Sequence, residues 1–159
     1  MQKITPFLWF ESRAEEAARY YVSIFKNSRI ISINRYGEAA SRASGQPVGA
    51  VMTVAFELQG QEFVAINGGP VFQMSPAISF VVNCENQAEL DNVFDKLAAG
   101  GQISQCGWLT DKFGVTWQIT PAQIGQWMQD PVKAERVMQA ILPMKKIDIE
   151  TVRRAYEAA

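Results

Sequence analysis

The sequence contains no histidine. Histidine is the commonest general base and metal ligand near neutral pH, so its absence excludes Ser-His-Asp triads, Cys-His pairs and histidine-bound metal centres. Only two cysteines occur, Cys84 and Cys106. This number excludes zinc ribbons and disulfide frameworks, and it leaves one disulfide as the most that could form.

The chain also lacks an excess of either charge and any long apolar run. Lys and Arg total 15 against 16 Asp and Glu, for a net charge of -1, so there is no basic surface for a phosphate backbone. No apolar run approaches the roughly 20 residues of a membrane helix, and no cationic segment followed by an apolar stretch opens the sequence. These absences predict a cytoplasmic protein that binds neither nucleic acid nor membrane.

Apolar residues are abundant enough for a sizeable core. The 159 residues are 48% hydrophobic and 19% charged, which predicts a single domain over residues 1–159.

The pattern of apolar residues and turn signals describes two similar halves. In the first half we expect a strand at 4–10, a helix capped by Ser12 with Glu15 three residues later, a strand at 29–36, a loop at 37–49, and a hairpin of strands 50–58 and 62–67. In the second half we expect a strand at 76–82, a helix at 87–99, and strands at 102–104, 108–110 and 115–120. Each half therefore has the order βαβββ.

This duplication constrains the whole fold. It predicts an α+β protein with one module at about residues 3–67 and a second at about residues 76–121. Residues 122–159 lie outside the repeat and have helical spacing of apolar residues. We expect them to form a helical C-terminal extension that caps the same domain.

Four segments resemble a known family: residues 6–10, 14–21, 108–119 and 144–149. The most specific is Trp-Leu-x-Asp-x-Phe-Gly-Val-x-Trp-Gln-Ile at 108–119. Together they resemble the PhnB-like branch, also labelled 3-demethylubiquinone-9 3-methyltransferase-like, of the glyoxalase/bleomycin-resistance/dioxygenase (vicinal oxygen chelate) superfamily. The resemblance implies that the modules form a half-barrel cavity, usually completed in a homodimer, in which superfamily enzymes hold a divalent metal.

The resemblance also implies where metal ligands would stand. Those places fall near Thr5 or Pro6, near Asn67, near Pro76 or Ala77, and at Gln118. None of them is a carboxylate or an imidazole, whereas a catalytic divalent ion needs charge neutralisation from its ligands. We therefore predict neither the conventional metal site nor any other cofactor.

Strand parity selects candidate ligand-binding residues. Thr116, Gln118 and Thr120 share one face of the last strand, and the resemblance turns this polar face toward the cavity. By the same parity Ser79 lies on the cavity wall, Asn67 is a candidate by position, and Trp108 could stack on a planar ligand. The predicted binding residues are Gln118, Thr116, Ser79, Asn67 and Trp108.

Each candidate has a structural alternative. Gln118 could bond a neighbouring strand, Asn67 could serve a turn, and Trp108 could belong to the core. We assign Trp9 and Trp117 to the core and Asp111 to a turn. In the first strand, either Leu8 and Phe10 or Phe7 and Trp9 could face inward.

The leading functional hypothesis is a homodimer that binds a small, mostly apolar or aromatic molecule without the usual metal. Whether a reaction follows stays open, and Glu57 or Glu62 are the carboxylates that could take part if either reaches the cavity. The alternatives are a metal-dependent glyoxalase or dioxygenase, the methyltransferase implied by the family label, and a partner-binding module. Against methyl transfer, neither Gly68-Gly69 nor Gly100-Gly101 opens a helix after a strand in a βαβ unit.

Overall fold

A computed structural model describes residues 2–158 as an α+β protein. The chain divides into two compact units on either side of the Met74–Ser75 bond. Each unit contains one four-stranded sheet, and both sheets have the same strand order, so the tandem βαβββ modules predicted from the sequence are confirmed. None of the helices within residues 2–158 has the length and apolar composition needed to cross a membrane.

The first unit contains four strands and two helices. They are β1 (Phe7–Phe10), α1 (Ala14–Ile24), β2 (Ser28–Arg35), α2 (Glu38–Ser44), β3 (Val51–Leu58) and β4 (Gln61–Asn67). The sheet order is β1-β4-β3-β2, with β1 parallel to β4 and the other pairs antiparallel. The helix α2 lies in the segment expected to be a loop, and Gly45 ends it in the left-handed conformation.

The core of the first unit settles which face of β1 is inward. Leu8 and Phe10 are buried with the small residues of α1, whereas Phe7 is 59% exposed. Trp9 shares the face of Phe7 and is half-buried, so its assignment to the core is wrong for this unit. Its indole Nε1 donates to the Gly69 carbonyl at 3.0 Å.

The helix α1 begins differently from the sequence-based expectation. The N-cap residue is Arg13, not Ser12, and its side chain makes no capping hydrogen bond. The side chain of Asn67, at the end of β4, accepts a hydrogen bond from the Ala14 N–H at 2.7 Å. The first N–H of α1 is therefore capped by Asn67, which is distant in the sequence. The spacing of residues around Ser12 could not reveal this cap.

The second unit repeats the arrangement and adds the C-terminal helices. Its elements are β5 (Phe80–Cys84), α3 (Gln87–Ala98), β6 (Gln102–Ile103), β7 (Trp108–Thr110), β8 (Thr116–Pro121), α4 (Ile124–Trp127), α5 (Pro131–Ile141) and α6 (Ile149–Glu157). The sheet order is β5-β8-β7-β6, with β5 parallel to β8. The predicted helical extension is confirmed, and the strand expected from residue 76 begins only at Phe80.

Asp111 organises the turn between β7 and β8. Asp111 is 3% exposed. It accepts hydrogen bonds from the N–H groups of Phe113 (2.8 Å) and Val115 (3.1 Å) and from the indole Nε1 of Trp117 (2.8 Å). Asp111 therefore has the predicted turn role and, in addition, bonds a core side chain near the start of β8.

The C-terminal extension is held to the second unit through backbone groups. The Cys106 and Gly107 N–H groups donate to the carbonyls of Met144 and Lys145, each at 2.8 Å. The Gln87 side chain of α3 donates to the Ile147 carbonyl and accepts from the Ile149 N–H. Ile147 and Val152 are buried, so the extension forms part of the core of this unit.

We predict that Asp111→Ala lowers the free energy of unfolding by about 3 kcal/mol, because two buried donors and one part-buried donor lose a charged acceptor. Urea denaturation monitored by circular dichroism measures this change. Gln105→Ala, an exposed change nearby, is the control and should leave the urea midpoint unaltered. Equal midpoints for Asp111→Ala and wild type would show that the turn does not depend on the carboxylate.

Cys84 provides a test in alkaline solution. Burial, and after it the charges of Glu89 and Glu85, raises the pKa of the Cys84 thiol to about 12. In the unfolded chain the thiol ionises at its lower ordinary pKa, so the stabilisation is complete below that value and is lost as the pH rises toward the folded value. We expect the unfolding free energy to fall above about pH 9.

Comparison with Cys84→Ala isolates this contribution, since that variant lacks the titrating thiol and should lose less stability between pH 9 and pH 11. In thiol titration at pH 8 the folded protein should expose only Cys106, because both cysteines are free and Cys84 is buried. Rapid labelling of two thiols in the folded state would contradict the assignment.

Candidate functional site

A cavity of about 280 Å³ lies on the second sheet. We call the sheet face on which Trp108, Thr116 and Gln118 lie the open face, because Trp108 and Gln118 are only half-buried there. Thr116 on this face is buried, as are Leu109, Trp117 and Ile119 on the opposite face. The cavity is lined by Pro76, Gln102, Ile103, Ser104, Trp108, Leu109, Thr110 and Thr116. None of these residues is charged, so the cavity combines apolar surface with neutral hydrogen-bonding groups.

The pairing of β7 with β8 brings the polar groups together. Trp108 lies opposite Gln118, and Thr110 lies opposite Thr116. The hydroxyl oxygens of the two threonines are 3.4 Å apart, within hydrogen-bond distance. Residues directly opposite on neighbouring strands have Cβ atoms about 5 Å apart, so the indole and the Gln118 amide border the same part of the sheet.

Gln118 also contacts the predicted residue Ser79. The amide Nε2 of Gln118 donates to the Ser79 hydroxyl at 2.9 Å. Ser79 lies just before β5 and not within a strand. The strand predicted to begin at residue 76, whose alternation selected Ser79, was therefore placed too early. The structure nevertheless brings together four of the predicted residues in the second unit: Gln118, Ser79, Thr116 and Trp108.

Asn67, the fifth predicted residue, lies in the first unit. Its side chain is used twice: Oδ1 accepts from the Ala14 N–H, and Nδ2 donates to the Val51 carbonyl at 3.2 Å. Its own carbonyl accepts from the Tyr36 hydroxyl at 2.6 Å. Asn67 is 8% exposed, and these bonds join β4, α1 and the segment after β2.

Asn67 also lines a wider groove of about 510 Å³ in the first unit, beside the start of α1. The charged residues there are paired with each other: Arg13 with Glu16 at 2.7 Å and Arg19 with Glu15 at 2.8 Å. The groove therefore offers balanced charges on an open surface, unlike the neutral cavity of the second unit.

The two carboxylates considered for catalysis lie on the first sheet. Glu57 and Glu62 are directly opposite on β3 and β4. Alternation places them on the face that also carries Trp9. An ion pair with Arg29 at 3.4 Å holds Glu57, and neither carboxylate lines the cavity of the second unit.

The residues at the implied metal positions do not fit a divalent ion. Within residues 2–158 no three Asp, Glu or Cys side chains come close enough together to hold a metal. The Gln118 amide is already bonded to Ser79, and the Asn67 amide is bonded to backbone groups. Neutral amides with these partners supply none of the negative charge that such an ion requires.

Several lining residues were not selected from the sequence. Thr110 could have been found, since it is two residues from Trp108 on the same strand face. Gln102 and Ser104 depend on the pairing of β6 with β7, and Pro76 depends on the path of the chain before β5. A single sequence carries no local signal for these tertiary placements.

Comparison with known proteins gives a consistent result for the family and the fold. The family model described as 3-demethylubiquinone-9 3-methyltransferase matches residues 2–120. The PhnB protein of Bacillus cereus is 44% identical, with a TM-score of 0.68, and the match covers 76% of this chain and 100% of that chain. No curated protein matches the chain at a significant level.

More distant solved structures share the fold. Protein PA1353 from Pseudomonas aeruginosa is 21% identical with a TM-score of 0.62, and the match covers 76% of this chain and 98% of that one. The fosfomycin resistance protein FosX from Listeria monocytogenes is 12% identical with a TM-score of 0.54, covering 81% and 98%. The chain thus belongs to the 3-demethylubiquinone-9 3-methyltransferase family, in the PhnB-like branch of the vicinal oxygen chelate superfamily.

Proposed function

We propose that the protein binds a small, uncharged, mostly apolar or aromatic molecule on the open face of the second sheet, and that it does so without a divalent metal. The observation that carries this proposal is the neutral cavity lined by Trp108 and the Thr110–Thr116 hydroxyl pair. The Gln118–Ser79 pair lies beside it, since Gln118 is directly opposite Trp108 on β8. We further propose that it acts in the cytoplasm as a homodimer, as the family resemblance implies.

The chemistry of the lining favours a neutral ligand. A charged group that leaves water needs an opposite charge or several strong hydrogen bonds. The polar side-chain groups of the lining are all neutral: hydroxyls, the Gln102 amide and the Trp108 indole N–H. A planar ring, in contrast, can cover the Trp108 indole, where stacking contributes about 1 kcal/mol beyond the burial of area. The hydroxyls and the amide then fix the orientation of the polar edge of the ligand.

The site supports binding more directly than catalysis. Glu57 and Glu62, the carboxylates with which acid-base chemistry could begin, belong to the first sheet, and Glu57 is paired with Arg29. A sequestering protein needs affinity and no proton-transferring group, so its requirements agree with the residues of the cavity. We therefore favour sequestration over a reaction.

The methyl transfer named in the family description has no counterpart in the residues of this chain. Dinucleotide and related cofactors bind where a glycine-rich turn joins a parallel strand to a helix. Gly68 and Gly69 follow β4, and the next regular element is β5, so they open no helix. Methyl transfer and a metal-dependent reaction are thus the less favoured alternatives.

The indole of Trp108 provides the first test of the binding site. We predict that 2-naphthol, a neutral two-ring probe, binds the wild-type protein and that Trp108→Ala weakens its Kd about tenfold, because stacking and buried ring area are both lost. Isothermal titration calorimetry measures both values. Trp127→Phe changes a buried tryptophan of α4 outside the cavity and should leave the Kd within twofold of wild type. Equal affinities for wild type and Trp108→Ala would refute this placement.

Native mass spectrometry tests the metal and the dimer together. After incubation with Mn²⁺ or Zn²⁺ and buffer exchange, we expect the mass of a dimer without bound metal, because neutral amides hold such ions weakly. Elemental analysis of the same sample provides an independent count. Near-stoichiometric metal would favour the metalloenzyme alternative, and a monomer at micromolar concentration would contradict the proposed dimer.

A further inference from the structure

The Gln118 amide has more hydrogen-bonding capacity than the protein uses. A glutamine amide carries two N–H donors and an oxygen with two lone pairs. Within the described chain its hydrogen bonding is the single bond from Nε2 to the Ser79 hydroxyl. Gln118 is half-buried, and one N–H and the carbonyl oxygen Oε1 remain for a ligand at the open face.

This remaining edge does not depend on how the amide is rotated. If the amide turned by 180°, Oε1 would accept from the Ser79 hydroxyl through one lone pair, and Nε2 would keep its donors. In both orientations the bond to Ser79 uses one position of the amide and leaves at least one donor and one acceptor for a ligand. The chemistry presented to a ligand is therefore the same.

We propose that the ligand carries an N–H donor and a carbonyl acceptor on adjacent atoms of a planar ring, as in a lactam or a cyclic imide, and that Gln118 binds this edge while Ser79 positions the amide. This inference rests on the proposed function and adds the substrate class. Two parallel hydrogen bonds between the amide and the lactam edge satisfy both free groups of Gln118 at once.

The position of the pair agrees with a ring on Trp108. Gln118 is directly opposite Trp108 across β7 and β8, and Thr116, two residues from Gln118 on the same face, lines the cavity. A flat ligand that covers the indole thus presents its edge to the amide. A cavity of about 280 Å³ lies just below the usual range for drug-sized ligands, about 300–1,000 Å³, so one or two fused rings are the expected size.

The same geometry generates selectivity. A ring that offers an acceptor but no donor leaves Oε1 of Gln118 unpaired once the ligand has displaced water. An unpaired polar group that is shielded from water weakens the binding free energy. A binding site built for a hydrogen bond discriminates strongly against the analogue that lacks the group. Ser79 contributes indirectly, because without it the amide rotates freely and loses part of the preference.

Calorimetry with matched probes tests the inference. Quinolin-2(1H)-one carries both groups, N-methylquinolin-2(1H)-one lacks the donor, and 2-naphthol reports binding of a flat ring. We expect wild type to prefer the N–H compound over the N-methyl compound at least tenfold. Gln118→Met keeps the length of the side chain and removes the amide. In this variant the affinities for the N–H and N-methyl compounds should differ by less than threefold.

Three further variants separate positioning from folding. Ser79→Ala should reduce the preference several-fold, and Ser79→Thr, which keeps the hydroxyl, should restore it. Ser23→Ala makes the same chemical change at an exposed position of α1, outside the cavity lining, and should retain the wild-type preference. The ratio of two affinities measured on one sample is insensitive to the fraction of folded protein.

Each outcome has a defined meaning. A preference of tenfold or more that is lost in Gln118→Met supports the inference. Equal binding of both quinolinones to wild type, or a preference that survives in Gln118→Met, overturns the inference and leaves the proposed function standing. If 2-naphthol binds and neither quinolinone does, the inference fails alone. If none of the three probes binds, the proposed function fails and the inference fails with it.

Discussion

The hydrogen bond from Trp117 to Asp111 is the interaction on which the geometry of the candidate site depends. The carboxylate holds both the backbone of the β7–β8 turn and the indole of a core residue. A shift of one residue along β8 would turn the indole out of the core, and it would also break this bond. The register that results places Gln118 opposite Trp108 on the other face. A buried charge in a turn thus determines which neutral groups a ligand meets.

Much of the fold follows from patterns that a single sequence contains. The alternation of β8 correctly separated buried Trp117 and Ile119 from Gln118 on the other face. The duplicated order of elements correctly indicated two modules with the same topology. These features are predictable because strand alternation and turn chemistry act over a few residues.

Two of the features that failed depend on distant contacts, and the third lacks a local sequence pattern. Ser12 has the spacing of a capping residue, yet Asn67 from β4 receives the first helical N–H of α1. The segment expected to be a loop forms α2, in which no residue is buried, so its helix has no apolar stripe to reveal it. Ser79 was selected by the alternation of a predicted strand, but the observed strand β5 begins only at Phe80. The bond of Ser79 to Gln118 joins residues 39 positions apart in the chain.

The C-terminal extension and the loop before β7 depend on each other for backbone hydrogen bonds. The family match ends at residue 120, and the B. cereus PhnB protein is covered completely by 76% of this chain. Here the extension accepts the N–H groups of Cys106 and Gly107 and buries Val152. Without the extension these two N–H groups would have to bond water or other side chains. The loop before β7 and the extension therefore stabilise each other in this chain.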